Sequence, residues 1–221
     1  MSKRCIIVCS GEISNYKWFK EQFSKNDFVI CADGGTRHLR RIGISPDLIM
    51  GDMDSTTDEN LRFFSSKGIP IKKFFREKDF TDAELAFNEA VESGYKDILI
   101  LAGTGSRLDH SMANIFLLKK AADIGIDCCI RNEENYLWML KGLASKALDI
   151  STKSSDWKDT VLSLLPLSDT CEGVYTKGLK YRLDNAVMYL GAGTGISNEF
   201  ENDTVTVGLR KGYLILILAK V

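Results

Sequence analysis

Short apolar runs alternate with longer amphipathic stretches through residues 1–132. The runs Arg4–Ser10, Phe28–Ala32, Asp47–Gly51, Ile69–Phe75 and Asp97–Gly103 have the length and β-branched content of strands. The intervening stretches Ser14–Lys25, Thr36–Gly43, Thr57–Gly68, Thr81–Gly94 and His110–Gly125 read as helices. Most of them end in glycine, the residue that commonly closes a helix. Thr81-Asp82-Ala83-Glu84 has the form of a capping box, a hydroxyl at the N-cap and a carboxylate three residues on. Strands that are apolar throughout, in strict βα order, predict a parallel sheet covered on both faces.

From residue 133 to 221 the pattern changes. Asn135–Gly142, Ala147–Ser151, Thr160–Pro166, Gly173–Thr176, Asn185–Leu190, Thr204–Leu209 and Tyr213–Leu218 are short runs separated by Gly, Asn, Asp and Ser, with no helical period. They predict an all-β sandwich or flattened barrel, with Arg210-Lys211-Gly212 as a hairpin turn between the last two strands. The fold class is thus α/β: an N-terminal parallel-sheet α/β domain over 1–132, then a C-terminal all-β sandwich over 133–221.

Charge adds little. Lys+Arg is 29 and Asp+Glu is 30, so no global field favours nucleic acid or an anionic membrane as partner. The longest late apolar run, Leu214–Ala219, has strand length and cannot span a bilayer. The start of the chain has the outline of a signal peptide, but its apolar part, Cys5–Cys9, is too short and Gly11-Glu12 ends it. The six cysteines form no CxxC pair and four lie in strand-like runs, so free buried thiols and a reducing, cytoplasmic location are expected.

The acidic residues change the picture, because of where they fall. Phe28–Ala32 runs into Asp33-Gly34-Gly35, and Asp47–Gly51 into Asp52-Met53-Asp54-Ser55. Asp97–Gly103 runs into Thr104-Gly105-Ser106-Arg107-Leu108-Asp109-His110. Asp79 and Asp82 precede or open a helix. All therefore gather past the carboxyl ends of strands, the edge where open α/β sheets bind ligands. Two carboxylates at ~4 Å, with an effective dielectric of about 20, repel by ~4 kcal/mol. Oxygen-only ligands offset that repulsion with a hard cation such as Mg²⁺, which also takes oxygens from substrate phosphates. The loop Gly103–Arg107 offers backbone N–H groups and a guanidinium to a phosphate, although it is neither a P-loop nor a dinucleotide fingerprint.

Each residue taken singly has a plainer explanation. Asp82 can serve only the helix N-terminus, Asp109 only as an N-cap, and Asp33 only a turn. His38 and His110 lack a cysteine cluster to make a zinc site, and His110 reads as support for the Asp109 turn. Joint placement favours a metal–phosphate site.

At these residues the sequence resembles the thiamine pyrophosphokinase family. The matching segments are Ala32-Asp-Gly-Gly35, Pro46-Asp-Leu-Ile-Met-Gly-Asp-Met-Asp-Ser55, Glu77-Lys-Asp-Phe-Thr-Asp-Ala-Glu84 and Gly105-Ser-Arg-Leu-Asp-His110 with Ala113-Asn114. Gly178-Leu-Lys-Tyr181 and Gly195-Ile-Ser-Asn-Glu199 follow in the family's order. The resemblance implies a homodimer that uses Mg²⁺ to move the pyrophosphoryl group of ATP to the hydroxyl of thiamine, giving thiamine diphosphate and AMP. It implies Asp52, Asp54, Asp79 and Asp82 as metal and catalytic residues. Asp33, Gly34, Thr104, Arg107 and Asp109 fall to the nucleotide and its phosphates, with Asp109 also catalytic. Ser197 and Asn198 fall to thiamine, contributed across the dimer. The general base for the thiamine hydroxyl is Asp79 or Asp109, an alternative the sequence leaves open.

Three positions depart from the family pattern: Met53 where Phe is usual, Ser106 where Gly is usual, and Arg182 where Pro is usual. The rival readings are a Mg-dependent sugar-nucleotide transferase, which also uses an Asp-x-Asp after a strand, and a non-catalytic nucleotide sensor.

Overall fold

The computed structural model describes residues 3–75, 77, 79–149 and 159–221, without the side chain of Asp149. Ile150 and Ser151, at the end of the expected strand Ala147–Ser151, lie outside the described residues, as does Lys78 of the Glu77–Glu84 segment. The chain divides into two compact units, Met1–Glu133 and Glu134–Val221.

Among the described residues, the first unit is built on six parallel strands: β1 (Cys5–Val8), β2 (Phe28–Ala32), β3 (Leu48–Gly51), β4 (Ile71–Lys73), β5 (Asp97–Leu101) and β6 (Asp127–Arg131). Their order is β4-β3-β2-β1-β5-β6. Every residue of β1 and β3 is buried, as the unbroken apolar runs require of a sheet covered on both faces. The helices α1 (Tyr16–Glu21), α2 (Thr36–Ile42), α3 (Asp58–Ser65), α4 (Asp82–Glu92) and α5 (Leu108–Asp123) fill the crossovers. Thr81 caps α4 by accepting the N–H of Glu84 at 3.1 Å, the first half of the expected box. The Glu84 carboxylate accepts instead from Lys120 of α5 at 3.0 Å. Strand β6 has no counterpart in the sequence reading: Asp127 and Arg131 frame an apolar core of only Cys128, Cys129 and Ile130. Pairing with β5 along its full length makes the short run a strand.

The chain leaves β1 towards β2, β3 and β4, then returns to add β5 on the other side of β1. Strand order therefore reverses between β1 and β5, and ligands of such sheets bind at that crevice.

The described residues of the second unit form β-strands and the turns between them. Strands β7 (Asn135–Lys141), β13 (Tyr213–Lys220) and β9 (Thr160–Pro166) pair antiparallel in that order. Strands β11 (Ala186–Tyr189), β10 (Thr170–Lys177), β12 (Thr204–Leu209) and β8 (Ala144–Asp149) form a four-stranded sheet. The expected hairpin at Arg210–Gly212 is not formed. β12 pairs with β10 and β8, whereas β13 pairs with β7 and β9, so the turn carries the chain from one sheet to the other. Alternating buried and half-exposed positions along β10 and β12 match a sheet with one face in a core. No helix among the described residues is long and apolar enough to cross a membrane.

Candidate active site

A cleft of about 550 Å³ opens in the first unit at the carboxyl ends of the strands. Its walls come from the loops after β1, β2, β3 and β5 and from the start of α4, including Gly11, Asp33, Asp52, Asp54, Asp82 and Arg107. Backbone of the loop after β1 hydrogen-bonds backbone after β5: Cys9 N–H donates to Leu101 O at 2.9 Å and Gly11 N–H to Ala102 O at 2.8 Å. The crevice at the strand-order reversal and the cleft are thus one place.

Asp33, Asp52 and Asp82 each bring a carboxylate oxygen within 4.8 Å of the other two. Asp33 is 3% exposed. Its Oδ2 accepts the Ser55 N–H at 3.0 Å, while its Oδ1 is buried with no hydrogen-bond partner. Burial, reinforced by the charges of Asp82 and Asp52, pushes its pKa up to about 6. A buried carboxylate oxygen with nothing to accept is costly, and a hard cation at this point would satisfy it. The donor set is all oxygen and fits Mg²⁺ chemistry.

Asp54 lines the cleft without belonging to this trio. It accepts the hydroxyl of Ser55 at 2.9 Å, and its own N–H donates to Asp52 Oδ1 at 3.1 Å. Asp79 is exposed and stands outside both the trio and the cleft lining. The carboxylates that converge with Asp52 and Asp82 thus include Asp33, for which the resemblance implies a phosphate role, and not Asp79, for which it implies a metal role. Three non-glycine residues just past these strands hold left-handed backbone, Asp33 (φ 38°), Met53 (φ 68°) and Ala102 (φ 51°). Such strain collects where a site over-determines its backbone.

The loop after β5 is braced from below. Asn114 donates to Gly103 O at 2.6 Å, Ser111 Oγ accepts Gly105 N–H at 3.1 Å, and Asn132 donates to Thr104 Oγ1 at 2.9 Å. Thr104, Ser106 and Arg107 line the cleft; the family's Gly at 106 is replaced here by an exposed Ser. Gly34 is buried behind Asp33, and a β-carbon on it would meet Ser10 Cβ at 2.9 Å. Arg107, not Asp109, holds the N-cap position of α5, and Asp109 lies in the first turn. Arg107 grips Asp109 with both fork nitrogens, at 2.6 and 3.2 Å. That hydrogen-bonded pairing holds the exposed Asp109 carboxyl down at about 2. A carboxylate so stabilised accepts a proton poorly, which weighs against Asp109 as general base in this arrangement. Arg37, which belongs to no motif in the sequence, lines the same cleft and donates to Ser10 O.

Two family models match. Residues 19–130 match the thiamin pyrophosphokinase catalytic domain, and residues 148–214 match the thiamin pyrophosphokinase vitamin B1 binding domain. The chain belongs to the thiamin pyrophosphokinase family.

It is 32% identical over 188 residues to a thiamine pyrophosphokinase of Bacillus subtilis (strain 168), covering 85% of each chain. The crystal structure of a Bacillus subtilis thiamine pyrophosphokinase superposes with a TM-score of 0.88 at 27% identity, over 99% of this chain and all of that one. That of the Geobacillus thermodenitrificans enzyme gives 0.85 at 26% identity, over 99% and 98%. As a member of this family the chain is a transferase of the kinase type, with an α/β part followed by a β-sandwich.

In the second unit, the residues expected to meet thiamine behave differently from one another. Asn198 is 4% exposed and spends its amide on the backbone of Tyr181: its Oδ1 accepts the Tyr181 N–H at 2.9 Å and its Nδ2 donates to Tyr181 O at 2.7 Å. Ser197 is exposed, in left-handed backbone (φ 56°), with its N–H donated to Ser163 Oγ at 3.0 Å. Tyr181 and Tyr189 are exposed, whereas Tyr175 is half-buried and packs over Gly208. Arg182, the departure from proline, is exposed near Asp184 at 3.9 Å.

Proposed function

We propose that the chain binds ATP in the cleft of its first unit and transfers the pyrophosphoryl group to the hydroxyl of thiamine, releasing AMP. The observation that carries the reading is the convergence of Asp33, Asp52 and Asp82, with the buried, unpartnered Oδ1 of Asp33, beside a braced loop that offers Thr104 and Arg107. Asp33, Asp52 and Asp82 would hold Mg²⁺, with Asp54 at its edge and Asp79 kept in the set by the family resemblance. When bound, the cation neutralises phosphate charge and helps align attacking and leaving oxygens. Thr104 and Arg107 hold the polyphosphate, and Asp33 and Gly34 form the floor. Asp109 fixes the direction of the Arg107 fork.

Thiamine is proposed to meet the Ser197–Asn198 loop of the second unit, inside the segment that matches the vitamin B1 binding model. Ser197 offers the exposed hydroxyl, and Asn198 acts by holding Tyr181. A homodimer is proposed, its contact surface drawing on the exposed Tyr181 and Tyr189. All six cysteines are buried and outside any disulfide, which supports a reducing, cytoplasmic setting. Family membership disfavours the sugar-nucleotide transferase and the sensor.

Thermal unfolding with a non-hydrolysable ATP analogue, UDP-glucose and thiamine, each with and without Mg²⁺, tests the reading. A ligand at ~100 times its Kd adds ~2.7 kcal/mol of stability. The analogue should stabilise only with Mg²⁺, and thiamine should stabilise as well. Stabilisation by UDP-glucose and not by thiamine would contradict the assignment.

A further inference from the structure

The loop after β1 is held by a side chain that does not itself line the cleft. His38 on α2 is 2% exposed. Its Nε2 lies 2.8 Å from the carbonyl oxygen of Gly11 and its Nδ1 2.7 Å from the hydroxyl of Tyr16. A carbonyl oxygen only accepts, so Nε2 carries the proton and Nδ1 accepts from Tyr16. Burial, with the neighbouring Arg37 and Arg41, pushes the ring's pKa down to about 4, so it is neutral in this tautomer at neutral pH. The Arg41 guanidinium covers the Tyr16 ring at 3.9 Å. At the loop's far end, the N–H groups of Ser14 and Asn15 both donate to Glu133 at 2.8 Å.

What His38 holds is the partner of the phosphate loop. A β-carbon at Gly11 would stand 2.2 Å from Thr104 O and 2.4 Å from Ala102 O. One at Gly105 would stand 3.1 Å from the nitrogen of Glu12. The two loops therefore meet backbone to backbone, with no side chain between them to absorb a shift. Movement of Gly11 is passed directly to Thr104 and Gly105.

We propose that His38 is a positioning residue for nucleotide binding, fixing Ser10–Glu12 against Gly103–Arg107 through the Gly11 carbonyl. This rests on the reading of the cleft as the ATP site. It differs from a merely satisfied core histidine in one respect: nucleotide affinity depends on a donor at the Nε2 position, not on the imidazole as such.

The test compares wild type, His38→Ala, His38→Gln and His38→Asn as full chains. Calorimetry measures binding of a non-hydrolysable ATP analogue with Mg²⁺ and no thiamine, and steady-state assays separate kcat from the KM of each substrate. Glutamine places an amide N–H where Nε2–H stood, and asparagine is too short to do so. His38→Ala and His38→Asn should weaken the analogue about tenfold, the order expected when a buried acceptor loses its donor. His38→Gln should stay within about threefold of wild type, with kcat and the KM for thiamine nearly unchanged. If His38→Ala does not fold, the glutamine–asparagine pair decides. Equal affinity in that pair, or a fall in kcat with unchanged nucleotide affinity, overturns the proposal. A wild type that binds no analogue overturns the ATP reading of the cleft together with this one; a competent wild type matched by His38→Ala and His38→Asn overturns this one alone.

Discussion

Gly51 gives Asp33 and Asp82 the room to face one another: a β-carbon there would stand 2.8 Å from Asp33 Cβ and 3.0 Å from Asp82 Oδ1. Its φ of 148° lies in the region that side chains avoid. Gly51→Ala should therefore do two kinds of damage. Backbone strain should lower stability by ~1 kcal/mol or more, and displaced carboxylates should raise the Mg²⁺ needed for half-maximal activity. Urea unfolding and a Mg²⁺ titration of activity check the two effects separately. Wild-type Mg²⁺ dependence in the variant would mean that the trio does not bind the cation.

Removing a carboxylate should cost activity and not folding. Asp52→Asn, Asp54→Asn and Asp82→Asn should each lose ~10²-fold or more in turnover, as preorganised charge-stabilising groups do. In metal-free buffer Asp52→Asn and Asp82→Asn should be as stable as wild type or more so, because repulsion with Asp33 is relieved. Turnover and unfolding are measured on the same preparations. Near-normal turnover at low Mg²⁺ in a variant would remove that residue from the site.

Stability should depend on pH through His38. Its folded pKa of about 4 lies below the unfolded value of about 6.5, so the unfolded chain binds the extra proton first. The stability lost on acidification through His38 therefore accrues between pH ~6.5 and ~4. Asp33 acts in the opposite sense: its folded pKa of about 6 exceeds the usual carboxylate value, so protonation favours the folded state there. Comparing wild type with His38→Gln in metal-free buffer cancels the Asp33 contribution. The variant should lose less stability on acidification across that window, and parallel curves would show that His38 is not buried neutral.

Asn198→Ala should act through Tyr181. Two part-buried hydrogen bonds are lost, so stability should fall by ~1–2 kcal/mol. Thiamine affinity should fall much more than ATP affinity, and Ser197→Ala should weaken thiamine without the stability loss. Calorimetry with each substrate distinguishes the cases. Equal loss of both affinities in Asn198→Ala would make the loop purely structural.

The fold was legible where periodicity was strong. Phe28–Ala32, Thr160–Pro166 and Thr204–Leu209 are strands with the limits their apolar runs predict, and Gly43 closes α2 in left-handed backbone. Strand β6 was not legible, because three apolar residues between Asp127 and Arg131 become a strand only through pairing with β5. Nor was the path of Arg210–Gly212: turn chemistry marks a bend, but not which sheet the next strand joins. At the cleft, the acids could be placed on one edge of the sheet from sequence. Which oxygens meet could not, since that depends on the left-handed turn at Asp33 and on the gap at Gly51. Arg37 and His38 carry no motif of their own, and only the folded loop after β1 shows what they hold.

The identity of the nucleotide released separates pyrophosphoryl from phosphoryl transfer. The purified chain is incubated with ATP, thiamine and Mg²⁺, and nucleotides and thiamine phosphates are separated by chromatography. Pyrophosphoryl transfer gives thiamine-dependent AMP in equal amount to thiamine diphosphate. Thiamine-dependent ADP with thiamine monophosphate would contradict the pyrophosphoryl transfer.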